Sequence, residues 1–184
     1  SSHITDNLIV TKNRDLLATW HIDGAYFECV DEEDMTLLTD QLNTLIRSFE
    51  GKAITLYPHR IRDRKDIHTS FNSKIPFVNR VMNDYYDSFP DSEYFENKLY
   101  FTVCYKPFNA EDKVAHFLSR NKGNKKIFDE PINDMNEICG RLDTYLSRFH
   151  SRRLGLFEEN GVVYSDQLSL FQKLLSGRWQ KVRV

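Results

Sequence analysis

The sequence has little of what membrane spans, disulfide frameworks and nucleic-acid-binding surfaces require. Its longest apolar run, Leu99–Tyr105, is far shorter than the ~18 residues that a membrane-spanning helix needs. Its three cysteines are odd in number and far apart, which argues against a disulfide framework and for a reducing compartment. The net charge of −2 provides no overall field that would attract nucleic acid or anionic lipid.

The sequence also lacks a phosphate-binding loop. Such a loop needs a glycine-rich turn followed by Lys and Ser or Thr at the start of a helix. The pair Gly51-Lys52 follows a predicted helix and enters a predicted strand, which is the opposite order, and the upstream glycine is absent. We therefore predict no nucleotide bound through a P-loop, and no catalytic, cofactor-binding or metal-binding residue in this chain.

What the sequence does contain is an apolar and aromatic complement large enough for a folded core. Of its 184 residues 40% are hydrophobic, and they include 13 Phe, 9 Tyr and 2 Trp. A chain of this length can bury a core as one domain, so we predict a single domain over residues 1–184. The aromatic side chains favour a packed core and are also typical of a surface that binds a partner.

Apolar residues recur at helical spacing in four segments. Each segment carries a stripe with steps of three or four residues, which predicts a helix with one buried face. The stripes are Met35, Leu38, Leu42, Leu45 and Phe49; Phe77, Val81, Tyr85 and Phe89; Met135, Ile138, Leu142, Tyr145 and Phe149; and Leu168, Phe171, Leu174 and Leu175. Asp31 and Ser165 are placed to cap the first and last of these helices, and Pro76 suits the first turn of the second.

Two turns and one alternating run predict the strands. The dipeptides Asp23-Gly24 and Asn160-Gly161 supply the positive φ angles of tight hairpins. The flanking apolar runs are Leu16–Ile22 with Ala25–Val30, and Leu154–Phe157 with Gly161–Tyr164. The clearest strand is Lys98–Lys106, where large apolar residues alternate with smaller or more polar ones. Hairpins at both ends of the chain exclude a purely parallel sheet, so we predict an α+β fold with an antiparallel or mixed sheet and helices packed against it.

A basic segment follows the predicted strand Ala53–Tyr57. Pro58 cannot donate to a β-ladder, so this strand lies at a sheet edge or ends there. If the strand continues, the alternation of Arg60, Arg62 and Arg64 places three guanidinium groups on one face. Such a row is either a solvated edge that deters strand pairing or a docking face for an acidic partner or lipid headgroups. These three arginines are the candidate partner-binding residues.

One alternative function is a small metal-dependent nuclease. Asp91, Glu96 and Lys98 imitate the PD…ExK site, in which two carboxylates hold Mg²⁺ and the lysine orients a water. Only four residues separate Asp91 from Glu96, and both motif pieces precede the predicted strand, so a polar loop is the simpler interpretation. A nucleic-acid-binding module is a third possibility, against which the near-neutral charge and the lack of interleaved aromatic and basic residues count.

Seven short motifs and a leucine-rich last helix are together more specific than any one of them. The motifs are Ser2-His3-Ile4-Thr5-Asp6, Ile9-Val10-Thr11-Lys12, Leu16–Gly24, Leu42-Asn43-Thr44-Leu45, His59-Arg60-Ile61-Arg62, Leu99–Pro107 and Gly161-Val162-Val163-Tyr164-Ser165. In this order and spacing they resemble the CagE/TrbE/VirB family, the ATPases that are the fourth VirB protein of type IV secretion. The resemblance extends over essentially the whole chain.

The resemblance implies the N-terminal, non-motor domain of a larger ATPase that energises pilus biogenesis and the export of DNA or protein. The ATP- and Mg-binding motifs of such a protein would lie in a C-terminal domain outside this chain, and the full-length protein would form a homo-hexamer. The domain would dock the motor onto other inner-membrane components of the secretion system, as a peripheral protein on the cytoplasmic side of the bacterial inner membrane. Direct nucleic-acid binding by the domain is not expected, and no family motif assigns it a catalytic residue.

Overall fold

The computed structural model describes residues 2–24, 31–65, 74–88, 94–108 and 129–184. The chain divides into two compact units, one formed by Ser1–His59 with Leu99–Val184 and the other by Arg60–Lys98. Within the described ranges, no helix is both long and apolar enough to cross a membrane.

The described residues form four helices and nine strands. The strands are β1 (Ser2–Thr5), β2 (Leu8–Val10), β3 (Leu16–Ile22), β4 (Ile54–Lys65), β5 (Tyr94–Tyr105), β6 (Ser151–Arg153), β7 (Leu156–Glu159), β8 (Val162–Ser165) and β9 (Val182–Arg183). The helices are α1 (Glu32–Arg47), α2 (Pro76–Asp87), α3 (Asp129–Leu146) and α4 (Asp166–Ser176), and a short 3-10 helix at Ser147–Phe149 follows α3. The predicted α+β fold is confirmed.

The larger sheet is built around β3. Six strands form it in the order β1-β2-β3-β5-β4, and β6 pairs with β3 beside this path. All seven residues of β3 pair antiparallel with residues 99–105 of β5, and residues 20–22 of β3 also pair with β6. Because β3 has partners on both sides, its backbone groups are satisfied and its side chains can be buried.

The core is formed by side chains of this sheet and α3. Leu16, Ala18 and Trp20 alternate along β3 and are fully buried together with Val103 of β5. They pack in one cluster with Met135, Ile138, Cys139, Leu142 and Leu146 of α3. The predicted apolar stripe of this helix is confirmed, and α3 begins at Asp129, six residues before the first member of the stripe, Met135.

A second sheet contains β7, β8 and β9. Asn160 and Gly161 have φ angles of 52° and 75° at the β7–β8 turn, as the hairpin prediction requires. The Ser165 hydroxyl accepts a hydrogen bond from the Leu168 N–H at 3.0 Å, which confirms it as the cap of α4. The short strand β9, which pairs with β8, was not predicted.

Two strand boundaries differ from the prediction. β4 passes through Pro58 and ends at Lys65, so the edge alternative for this proline is the correct one. β5 begins at Tyr94 rather than Lys98, so Glu96 and Asn97 belong to a strand and not to the predicted loop. This polar segment can form a strand because β5 lies next to β4 in the sheet, where backbone groups are paired. Its polar side chains do not indicate a strand.

The apolar stripes of α1 and α2 are less buried than predicted. Neither helix has a buried residue: Leu42 is 37% exposed, Met35 50% and Phe77 73%. Leu45 and the following Phe49 do pack against the core. The predicted strand Ala25–Val30 and the last member of the second stripe, Phe89, lie outside the described residues.

A chain of polar side chains crosses the buried part of the larger sheet. The His59 Nε2 lies 3.0 Å from the Thr102 hydroxyl, which lies 3.0 Å from the Thr19 hydroxyl. The fully buried Gln167 donates from Nε2 to Thr19 at 3.0 Å. Burial lowers the pKa of His59 below its usual value, which favours the neutral imidazole. A one-residue slip between β3 and β5 would separate the hydroxyls of Thr19 and Thr102, so these side-chain hydrogen bonds support the observed register.

Candidate docking site

The candidate site lies on the outermost described strand of the larger sheet. β4 follows β5 at the end of the strand order. Arg60, Arg62 and Arg64 are exposed, whereas Ile61 between the first two is only 7% exposed. This alternation places the three guanidinium groups on one face of the strand, as expected if β4 continues past Pro58.

Two of these arginines are held by side chains of β5. Arg60 donates from Nε to the Asn97 side-chain oxygen at 3.2 Å. The guanidinium carbon of Arg62 lies 4.1 Å from the centre of the Phe95 ring, in the geometry of a cation–π contact. In the part of the chain that the structure describes, neither guanidinium contacts a carboxylate. Their positive charges are therefore available to a partner.

The carboxylate of Glu96, on the neighbouring strand β5, is shared by two lysines. Glu96 on β5 lies 3.7 Å from the Lys65 ammonium through one oxygen and 3.7 Å from the Lys98 ammonium through the other. These exposed ion pairs are weak individually, but together they offset the negative charge of Glu96. Glu96 is therefore paired with lysines and not with Arg60 or Arg62.

The nuclease alternative is not supported by this geometry. Glu96 and Lys98 lie within β5, and the two oxygens of Glu96 face the ammonium groups of Lys65 and Lys98, so this carboxylate is engaged by ion pairs. Asp91 lies outside the described residues. Among the residues that are described, no group of three or more His, Cys, Asp or Glu side chains could hold a metal ion.

The Gly51-Lys52 pair lies where the sequence analysis placed it. Gly51 has a φ of 78° just after α1, and the Lys52 N–H donates to the Phe49 carbonyl at 3.0 Å. The chain then enters β4. A lysine at the end of a helix, with its amide already bonded, does not form the phosphate cradle at a helix N-terminus.

The two residues that position the arginines could not be identified from the sequence. Asn97 and Phe95 were assigned to a loop, whereas their strand places them beside Arg60 and Arg62. No sequence signal marks this segment as a strand, because apolar and polar residues do not alternate over Tyr94–Lys98, and the alternating exposure along β5 is a property of the folded chain.

Comparisons with known proteins agree on one family. The model of the type IV secretion system ATPase VirB4/TrbE, N-terminal domain, matches residues 7–113. The type IV secretion system protein virB4 of Brucella suis is 32% identical over 193 aligned positions, which include 100% of this chain and 23% of that protein. VirB4 of Bartonella quintana is 25% identical, over 98% of this chain and 24% of its own length. The type IV secretion system protein PtlC of Bordetella pertussis is 30% identical, over 100% and 23%.

These matches cover most of this chain but less than a quarter of each relative. The family model alone covers more than half of the 184 residues. The chain belongs to the VirB4/TrbE family of type IV secretion system ATPases and carries the N-terminal domain of that family.

Proposed function

We propose that this domain docks and assembles a type IV secretion ATPase onto the secretion machine, and that it performs no catalysis itself. The whole protein energises pilus biogenesis and the export of DNA or protein. The proposal is supported by the membership of the VirB4/TrbE family and by the exposed arginine row, which is chemically suited to contacts with an acidic partner.

The proposal extends to the parts of the protein outside this chain. ATP and Mg bind in a C-terminal domain, and the full-length protein is a homo-hexamer. It is a peripheral protein on the cytoplasmic side of the bacterial inner membrane, and its partners are other inner-membrane components of the secretion system. The domain does not bind nucleic acid directly, in agreement with its net charge of −2.

One observation carries the docking role. Arg60 and Arg62 lie exposed on the outermost described strand without a carboxylate partner in the described residues, and Asn97 and Phe95 hold them in place. Arginines that only solubilise a strand edge do not require such positioning. A guanidinium group that is already oriented loses less conformational entropy when it binds a carboxylate.

Replacement of Arg60, Arg62 and Arg64 by serine is expected to weaken assembly and to leave the fold nearly intact. Loss of charge-assisted hydrogen bonds should lower co-purification of the full-length protein with inner-membrane components at least about tenfold. The free energy of unfolding should fall by no more than about 1 kcal/mol, because exposed charges contribute little to stability. Quantitative pull-down and a circular-dichroism melt measure the two effects.

The matched control removes three exposed cations elsewhere, by replacing Lys12, Arg47 and Lys52 with serine. It causes the same change in net charge and should leave assembly unchanged. Equal assembly of the arginine variant and the parent would make the row a solvated edge. Unfolding of the arginine variant would show that the row is needed for internal structure.

This chain on its own should neither bind nor hydrolyse ATP. The described part of the chain places no lysine in a glycine-rich turn at a helix N-terminus, and such a turn is what holds the phosphates in a P-loop. Titration of residues 1–184 with a fluorescent ATP analogue should give no saturation at micromolar concentration. Saturable binding that unlabelled ATP displaces would contradict this prediction.

A further inference from the structure

Among the described strands, none pairs with the side of β4 that faces away from β5, and this open side also offers backbone hydrogen-bonding groups. In a strand, the N–H and C=O groups of alternate residues point to the same edge. Pro58 has no N–H, and its place inside an outermost strand is compatible with the ladder if its nitrogen faces away from β5. By the same alternation, the backbone groups of Arg60 and Arg62 face away from β5.

A hydrogen bond next to β4 agrees with this assignment. The Lys106 N–H donates to the Ala53 carbonyl at 2.8 Å, one position beyond the ends of β5 and β4. The backbone N–H and C=O groups of odd-numbered residues along β4 therefore face β5, and those of even-numbered residues face the open edge. The hydrogen bond at Ala53 and the missing N–H of Pro58 are both consistent with the backbone groups of Arg60 and Arg62 facing away from β5.

We propose that β4 accepts an added strand, namely an extended acidic segment of another protein. Its backbone pairs with the open edge at Arg60 and Arg62, and carboxylates at every second position contact these two arginines. This proposal rests on the docking role proposed above and defines how the partner is recognised. Strand addition of this kind takes affinity from backbone hydrogen bonds and specificity from alternate side chains.

The arginine geometry matches carboxylates presented by a neighbouring strand. Side chains directly opposite on adjacent strands have Cβ atoms about 4.5–5.5 Å apart, within reach of an arginine. Arg60 uses only its Nε–H for Asn97, which leaves its terminal N–H groups available. Arg62 uses the face of its guanidinium for Phe95, which leaves the in-plane donors for a bidentate carboxylate.

The same charges select among possible partners. A second copy of this edge would place arginine opposite arginine, and like charges directly opposite each other on paired strands are destabilising. Charged side chains on an edge strand therefore prevent self-association. An acidic strand is attracted by the same positive charges. The arginines therefore disfavour pairing with a second copy of this edge and favour pairing with an acidic segment.

The test uses the full-length protein and fluorescein-labelled peptides of eight residues, measured by fluorescence anisotropy. The probe alternates Glu and Val. One control peptide has the same composition with its four Glu grouped at one end, and another is the alternating peptide with its four central amides N-methylated. N-methylation preserves charge and an extended shape but removes backbone donors, so a loss of two or more hydrogen bonds should weaken binding at least about tenfold.

The expected result is that the alternating peptide binds and that both control peptides bind at least about tenfold more weakly. Serine at Arg60 and Arg62 should abolish this difference by removing binding, whereas serine at Lys12, Arg47 and Lys52 should not affect it. Equal binding of the N-methylated peptide would overturn strand addition while leaving the docking role intact if the arginine variant still fails to assemble. Arginine-dependent flotation with phosphatidylglycerol vesicles, without binding of the alternating peptide, would overturn the acidic-strand proposal in favour of a lipid surface.

Discussion

Trp20→Ala is expected to lower the free energy of unfolding by about 3–5 kcal/mol. The side chain is fully buried on β3, and it packs in the cluster formed with Val103 and Met135. Its indole N–H donates to an Asp143 oxygen at 2.7 Å, and Arg153 lies over its ring. The substitution leaves a large cavity and removes one hydrogen-bond partner of Asp143. Chemical denaturation monitored by circular dichroism measures the loss.

Trp179 provides the matched control for this substitution. It is 43% exposed and contacts Tyr100 and Lys173 near the end of the chain. Its replacement by alanine should cost less than about 1.5 kcal/mol, because a half-exposed ring loses less burial. If Trp20→Ala were no more destabilising than Trp179→Ala, the assignment of β3 to the centre of the core would be wrong.

Gly155→Ala should destabilise the protein by about 1–3 kcal/mol, which is unusual for the addition of one methyl group. A Cβ on Gly155 would overlap the Asn7 side-chain nitrogen and lie 2.9 Å from the Asp6 carbonyl oxygen. The Asn7 side chain can move, but Asp6 is held because its carbonyl accepts the Leu156 N–H at 2.9 Å. The substitution therefore separates the β1–β2 turn from the start of β7. Thermal and urea unfolding measure the effect.

Replacement of Gly140 by alanine should change the free energy of unfolding in the opposite direction. Gly140 is an exposed residue inside α3, and a Cβ there meets no atom within 4 Å. Alanine is the better helix former, so Gly140→Ala should stabilise the protein by about 0.5–1 kcal/mol. Equal effects of the two substitutions would show that the close approach at Gly155 is absent.

The parts of the fold that could be predicted are those determined by neighbours in sequence. The predicted strand Leu16–Ile22 has the same bounds as β3. The Asn160-Gly161 turn and the Ser165 cap also occur as predicted, because turn and cap chemistry involves residues within about four positions. The helix with Met135 and Ile138 was recognised because its stripe is uninterrupted and faces the core.

The parts that could not be predicted depend on contacts distant in sequence. An apolar stripe defines a helix face but not what covers it, so the exposure of Met35 and Phe77 could not be foreseen. β9 has two residues and forms by pairing with the edge of β8. So short a strand has no recognisable pattern in the local sequence.

The candidate site shows the same division. The spacing of Arg60, Arg62 and Arg64 indicated one exposed face, and the structure places them there. Asn97 is 37 positions from the Arg60 that it holds, so this contact follows from the pairing of two strands and from no motif. The docking role of the row stays a prediction until the assembly experiment is done.

The position of β3 also has a consequence for synthesis on the ribosome. Thr19 and its partner Thr102 are 83 positions apart, and β6 completes the pairing of β3 at residues 151–153. At ~5–20 residues per second, translation from residue 22 to residue 153 takes on the order of 10 s. Until β5 and then α3 have been made within that interval, Leu16, Ala18 and Trp20 lack side chains that bury them. The nascent chain therefore passes through a period in which an apolar strand is open to aggregation or to chaperone binding, and its final folding depends on contacts of high sequence separation, which form slowly.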